Sequence, residues 1–98
     1  MAKANNKKNK EFELLSMFAD VQKESRNMVN KKIHDYGAEP LLFFKDYGCL
    51  VRATDKVMRL NNLYKNKKPK VDESIEDSWM DLANYCNWAI VLRRINKK

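Results

Sequence analysis

Two glycines and two prolines in 98 residues are too few to supply the turns of a many-stranded β fold, because strands are joined by turns that draw on those residues. Cysteine and histidine are scarcer still. Cys49 and Cys86 have no Cys-x-x-Cys spacing and His34 is the only histidine, so neither a disulfide framework nor a zinc site is expected. Both thiols read as reduced, with Cys86 in the core and His34 on the surface. No window approaches the roughly 18 unbroken apolar residues of a membrane span, and no apolar stretch follows the first lysines. A cytoplasmic protein without membrane contact is expected, in the host cytoplasm if a phage encodes it. Gly-rich phosphate loops are also missing, as is a nucleophile with a base beside it, which leaves P-loop and acyl-transfer chemistry without support.

What the chain does have is apolar and charged residues in globular proportion, 44% and 34%. The length fits one core. The net charge of +7 belongs to the ends: Lys3, Lys7, Lys8 and Lys10 open the chain, and Arg93, Arg94, Lys97 and Lys98 close it. Removing those eight from the 20 basic residues leaves 12 against 13 acids between them. A nucleic-acid groove would concentrate its cations on one folded face, so no nucleic-acid partner is expected beyond weak contact by the basic tails.

Residues 1–10 are Asn- and Lys-rich and lack periodicity, and read as a disordered basic arm before a single helical domain over 11–95. Leu14, Met17, Phe18, Val21, Met28 and Val29 share one side of a helix that runs to Tyr36, where Gly37 supplies a left-handed stop. Glu39-Pro40 opens a short buried helix over Leu41-Leu42-Phe43-Phe44. After Asp46-Tyr47-Gly48 a third helix runs from Cys49 to Lys65, with Ala53, Val57, Leu60 and Tyr64 in register for burial. A basic loop over 66–70 leads to a last helix, capped by Asp72 and ending near Ile95. The expected fold is all-α: a small bundle of three long helices and one short one, thin enough in its interior that self-association into a homodimer or larger homo-oligomer would thicken it.

The last helix carries the chemistry. Ile75, Trp79, Leu82, Cys86, Ala89 and Ile90 occupy the arc expected to meet the core, while Glu73, Asp77, Asp81 and Asn84 share the opposite arc at spacings of three and four. Carboxylates stacked in this way repel unless a cation neutralises them, and hard oxygen ligands on successive turns suit Mg2+ or Mn2+. A solvated acidic face is the plainer reading, yet Met80, Trp88 and Val91 lie among these acids, and a large aromatic is unusual on a face meant only for water. Arg52, Lys56 and Arg59 line one flank of the preceding helix, placed to reach a phosphate or to pair with the acids. Asp20 and Glu24 form a weaker acidic pair on the first helix, with Lys31 and Asp35 further along.

The blocks Lys31-Lys32-Ile33-His34-Asp35-Tyr36-Gly37, Lys56-Val57-Met58-Arg59-Leu60, and Asp72-Glu73-Ser74-Ile75-Glu76-Asp77 through Asp81-Leu82-Ala83-Asn84-Tyr85 resemble the nucleotide-modification-associated domains, over roughly residues 12–92. Those domains are similar in turn to the all-α MazG-like nucleoside triphosphate pyrophosphohydrolases. The resemblance implies hydrolysis of a (deoxy)nucleoside triphosphate to monophosphate and pyrophosphate in an oligomer with shared sites. Glu73 and Asp77 would be catalytic, and Glu73, Asp77, Asp81 and Glu24 would hold Mg2+ or Mn2+. Arg52, Lys56, Arg59, Asn84, Tyr36 and Lys31 would bind the nucleotide. Because Glu73 and Asp77 stand four apart rather than three, two other readings stay open: a non-catalytic nucleotide binder, for example one that sequesters a signalling nucleotide in phage anti-defence, and an inhibitory or protein-interaction module.

Overall fold

A computed structural model describes residues 2–66 and 74–97, with side-chain environments for 6–66 and 75–97. The chain is all-α, and its described residues form three helices in the order α1 (Ala2–Tyr36), α2 (Glu39–Lys65) and α3 (Ser74–Asn96). Among the described residues none is in a strand, and no helix is long and apolar enough to cross a membrane. Two compact units form, Met1–Asp35 and Tyr36–Lys98.

The first unit is the body of α1. Its helix begins at Ala2, so the Lys- and Asn-rich residues expected to form a disordered arm are helical. Ala and Lys are good helix formers, no Gly or Pro interrupts the run, and an exposed Lys10–Glu13 pair one turn apart, at 3.6 Å, adds slight support. Gly37 ends the helix at φ +76°, as expected of a left-handed stop. The apolar side of α1 is exposed at Leu14, Met17, Phe18, Val21 and Met28, whereas Val29 and Ile33 are half-buried.

The second unit is a hairpin of α2 and α3. Pro40 sits in the first turn of α2 beside the acid Glu39, where a missing N–H costs nothing and a negative charge meets the positive end of the helix dipole. Lys45 breaks the helix at φ 59°, ψ −160°, so the short and long helices expected on either side of 46–48 are one element kinked just before that stretch. Gly48 lies inside the helix. Its role is space, because a Cβ there would run into Phe44 across the kink. The short segment is not buried as expected: Leu42, Phe43 and Phe44 are exposed, and only Leu41 is half-covered.

Three contacts fix the two helices as antiparallel. Tyr64 meets Trp79, Lys56 meets Asp81 and Asp46 meets Arg93, so positions late in α2 pair with positions early in α3. The covered side of α2 carries Cys49, Ala53, Lys56 and Leu60, and that of α3 carries Ser78, Asp81, Tyr85, Trp88 and Leu92. Among the described residues, Cys49, Leu60 and Leu92 are the buried apolar side chains, joined by the buried polar Ser78 and Asn84.

This core departs from the expected one. Trp79, Cys86 and Ile90 are exposed on α3, as are Val57 and Tyr64 on α2, so the buried arc of α3 is turned roughly a quarter of the way round toward the acidic side. Two contacts hold this turn: Lys56 pairs with Asp81 between the helices, and Trp79, one position beyond buried Ser78, faces outward and donates to Tyr64.

Candidate functional site

Rotation about the two helix axes sorts the hairpin into two faces. Arg52 and Arg59 each precede a covered residue of α2, and Asp77 and Asn84 each precede a covered residue of α3. In an antiparallel pair the sense of rotation reverses with chain direction, so preceding positions on both helices lie to the same side. Arg52, Lys56 and Arg59 therefore border the same side as Asp77, Asp81 and Asn84. The residues that follow covered ones lie to the other side, among them Leu50, Val57 and Tyr64 of α2 and Trp79 and Cys86 of α3. One observed contact marks each side.

On the charged side, Lys56 Nζ lies 3.2 Å from Asp81 Oδ2, with the two side chains only 15% and 23% exposed. The alkyl stem of Lys56 is covered by the hairpin while its ammonium reaches the rim. Asn84, three residues beyond Asp81, is buried, whereas Asp77, Arg52 and Arg59 are exposed. The acidic ridge is thus enclosed at Asp81 and Asn84 and open at Asp77. Such an arrangement can take an anionic group along the Arg52–Lys56–Arg59 ladder while the carboxylates and amide alongside accept or donate hydrogen bonds.

On the other side, Trp79 Nε1 donates to Tyr64 Oη at 2.8 Å, with the rings edge to face and their centroids 6.5 Å apart. Neither the Lys56–Asp81 pair nor this one is fixed by sequence alone, since both need the α2–α3 register. At the far end Arg93 Nη1 reaches Asp46 Oδ2 at 3.4 Å near the solvent. The Cys49 thiol nearby is pushed above its ordinary value by burial first, then by the charges of Asp46 and Cys86. It stays protonated and weakly nucleophilic.

The remaining expected site residues fall elsewhere. Tyr36 is exposed where α1 ends, and Lys31 and Glu24 are exposed on α1. His34 is exposed, as expected, with Nδ1 3.2 Å from Asp35 Oδ1. Glu73 and the Asp72 cap lie outside the described residues. Among the described residues no group of three His, Cys, Asp or Glu side chains could hold a metal ion, and Asp81 is engaged by Lys56.

The segment that holds both helices and the charged face, residues 32–92, matches the family model described as nucleotide modification associated domain 1. The chain belongs to that family. In nucleotide modification associated domain terms, the match takes in Tyr36, Arg52, Lys56, Arg59, Asp77, Asp81 and Asn84, and leaves Glu24 and Lys31 ahead of its start. No curated protein and no solved structure matches the chain.

Proposed function

We propose that this chain binds a nucleotide through its phosphates on the charged face of the α2–α3 hairpin. The observation that carries the reading is the ladder Arg52–Lys56–Arg59 beside Asp77, Asp81 and Asn84, within the segment matched by a family whose name associates it with nucleotide modification. Lys56 is the pivot, because an incoming phosphate competes with Asp81 for its ammonium. Arg52 and Arg59, one turn to either side, extend the cationic row along a polyphosphate. Asn84 offers an amide at the inner edge.

A thermal-shift screen of nucleoside mono-, di- and triphosphates, with and without magnesium, tests this. A ligand that binds only the folded chain, present at about 100 times its Kd, stabilises it by about 2.7 kcal/mol. The shift should vanish in an Arg52→Ala, Arg59→Ala double variant. If no nucleotide moves the midpoint of the native chain, the proposal fails.

A second reading is metal-dependent hydrolysis of a (deoxy)nucleoside triphosphate to monophosphate and pyrophosphate. It is favoured by Asp77 and Asp81 standing one turn apart on that face, with Glu73 one turn further back in the sequence. Chromatography of the nucleotide recovered after incubation with magnesium or manganese separates the two. Intact ligand supports binding alone; monophosphate and pyrophosphate, lost in Glu73→Gln, support hydrolysis.

A further inference from the structure

Trp88 is a large aromatic on the charged side that phosphate binding leaves unexplained. Asp77, Asp81, Asn84 and Trp88 follow one another along α3 at spacings of four, three and four, so they form a single stripe that Val91 and Ile95 continue. The stripe changes character along its length. Toward the start of α3 it is acid and amide, and from Trp88 onward it is aromatic and aliphatic. Trp88 is half-buried, while Val91 and Ile95 are 40% and 49% exposed. The Lys56–Asp81 and Asp46–Arg93 contacts lie on either side of Trp88 along the hairpin and set it level with residues 49–52 of α2. It stands seven residues beyond Asp81, about 10 Å along the helix axis.

We propose that Trp88, with Val91 beside it, is the platform on which the base of the bound nucleotide stacks. The ligand then lies along the charged side with its base toward the end of α3 and its phosphates toward Arg59. This orientation rests on the nucleotide reading above and adds the recognition of the base to it. Polarity is the first support: a nucleotide is anionic at one end and presents a flat π-face at the other, and the stripe offers cations and then an aromatic in the same order. Distance is the second, because the interval between the Lys56–Asp81 pair and Trp88 leaves room for the sugar that joins base to phosphate. The third is placement. The other tryptophan, Trp79, sits on the opposite side of the hairpin, where it donates to Tyr64 Oη and has no part in the cationic row. Stacking uses the face that every base has, so an indole already held by partial burial serves without choosing among bases. The platform therefore sets nucleotides apart from bare polyphosphate rather than one base from another.

Trp79→Phe leaves Trp88 as the one tryptophan of the chain, and its emission reports on the platform directly. Nucleoside triphosphates are expected to quench that emission, and inorganic tripolyphosphate to leave it unchanged. By titration calorimetry on the native chain, the nucleoside triphosphates should bind about 10–100-fold more tightly than tripolyphosphate, the contribution of one stacked base. Trp88→Leu should lower their affinity to that of tripolyphosphate, and Trp88→Phe should keep most of the margin. The quench and the margin are both read on chains that retain Trp88, so they decide the matter even if Trp88→Leu does not fold. Equal binding of nucleotide and tripolyphosphate, without quenching, overturns the platform and leaves the phosphate site standing. A Trp88→Leu chain that loses tripolyphosphate as fully as nucleotide makes the tryptophan structural and also overturns it. If neither ligand binds, the phosphate site fails and the platform fails with it.

Discussion

Replacing Lys56 with methionine keeps the buried alkyl stem and removes the charge, leaving Asp81 beside an apolar neighbour. At 3.2 Å and an effective dielectric of about 20, two unit charges attract by about 5 kcal/mol. Most of that is offset by the desolvation of two side chains that are both under a quarter exposed. The net loss on breaking the pair is then about 1–2 kcal/mol. For a chain of this size each kcal/mol lowers the melting midpoint by about 4–8 °C. Thermal and urea unfolding followed by far-UV circular dichroism measure it directly. The charge-swapped double variant Lys56→Asp, Asp81→Lys should recover part of the loss that each single change causes. The reasoning is refuted if Lys56→Met lies within about 0.3 kcal/mol of the native chain, or if the double variant is simply the sum of the singles within the usual error of additivity, about 0.5 kcal/mol. The same Lys56→Met chain should show no nucleotide-induced shift, which ties the stability measurement to the proposed site.

Lys45→Gly should stabilise the chain by about 1–3 kcal/mol, since φ 59°, ψ −160° is a region that only glycine occupies freely; denaturant midpoints check this. Gly48→Ala should destabilise despite alanine's better helix propensity, because its Cβ meets Phe44. Leu60→Ala and Leu92→Ala should each cost about 2–4 kcal/mol, being two of the few buried apolar side chains. In the dilute chain a thiol reagent should modify Cys86 quickly and Cys49 only on unfolding. The raised Cys49 thiol also sets a pH dependence. The folded chain holds that proton above the ordinary value of 9.0 while the unfolded chain releases it there. Stability is therefore intact below about pH 9 and falls as pH rises toward the folded value. Cys49→Ala should flatten that part of the profile.

Much of the local structure could be read from residue order. Gly37 stops α1, Pro40 opens α2 and Lys65 closes it, each for a reason confined to one or two residues. Asp35-Tyr36-Gly37 and Asp46-Tyr47-Gly48 look alike yet behave differently. The first ends a helix through a positive φ, and the second continues one, with its glycine making room for Phe44. Nothing local separates them, because the clash that Gly48 avoids exists only once Lys45 has bent the chain.

The charged face was legible in part. Spacing alone put Arg52, Lys56 and Arg59 on one flank and Asp77, Asp81 and Asn84 on one arc. The sequence by itself determined helix type, the ends at Tyr36, Glu39 and Lys65, and these stripes, all of which follow from local residue chemistry and the periodicity of a single helix. Which stripe meets which was decided only by the tertiary structure. On α3 apolar side chains lie nearly all the way round, so a wheel offers several arcs and no way to choose. The antiparallel packing of α2 on α3 made the choice: it buries Ser78, leaves Trp79 exposed beside Tyr64 and brings Lys56 against Asp81.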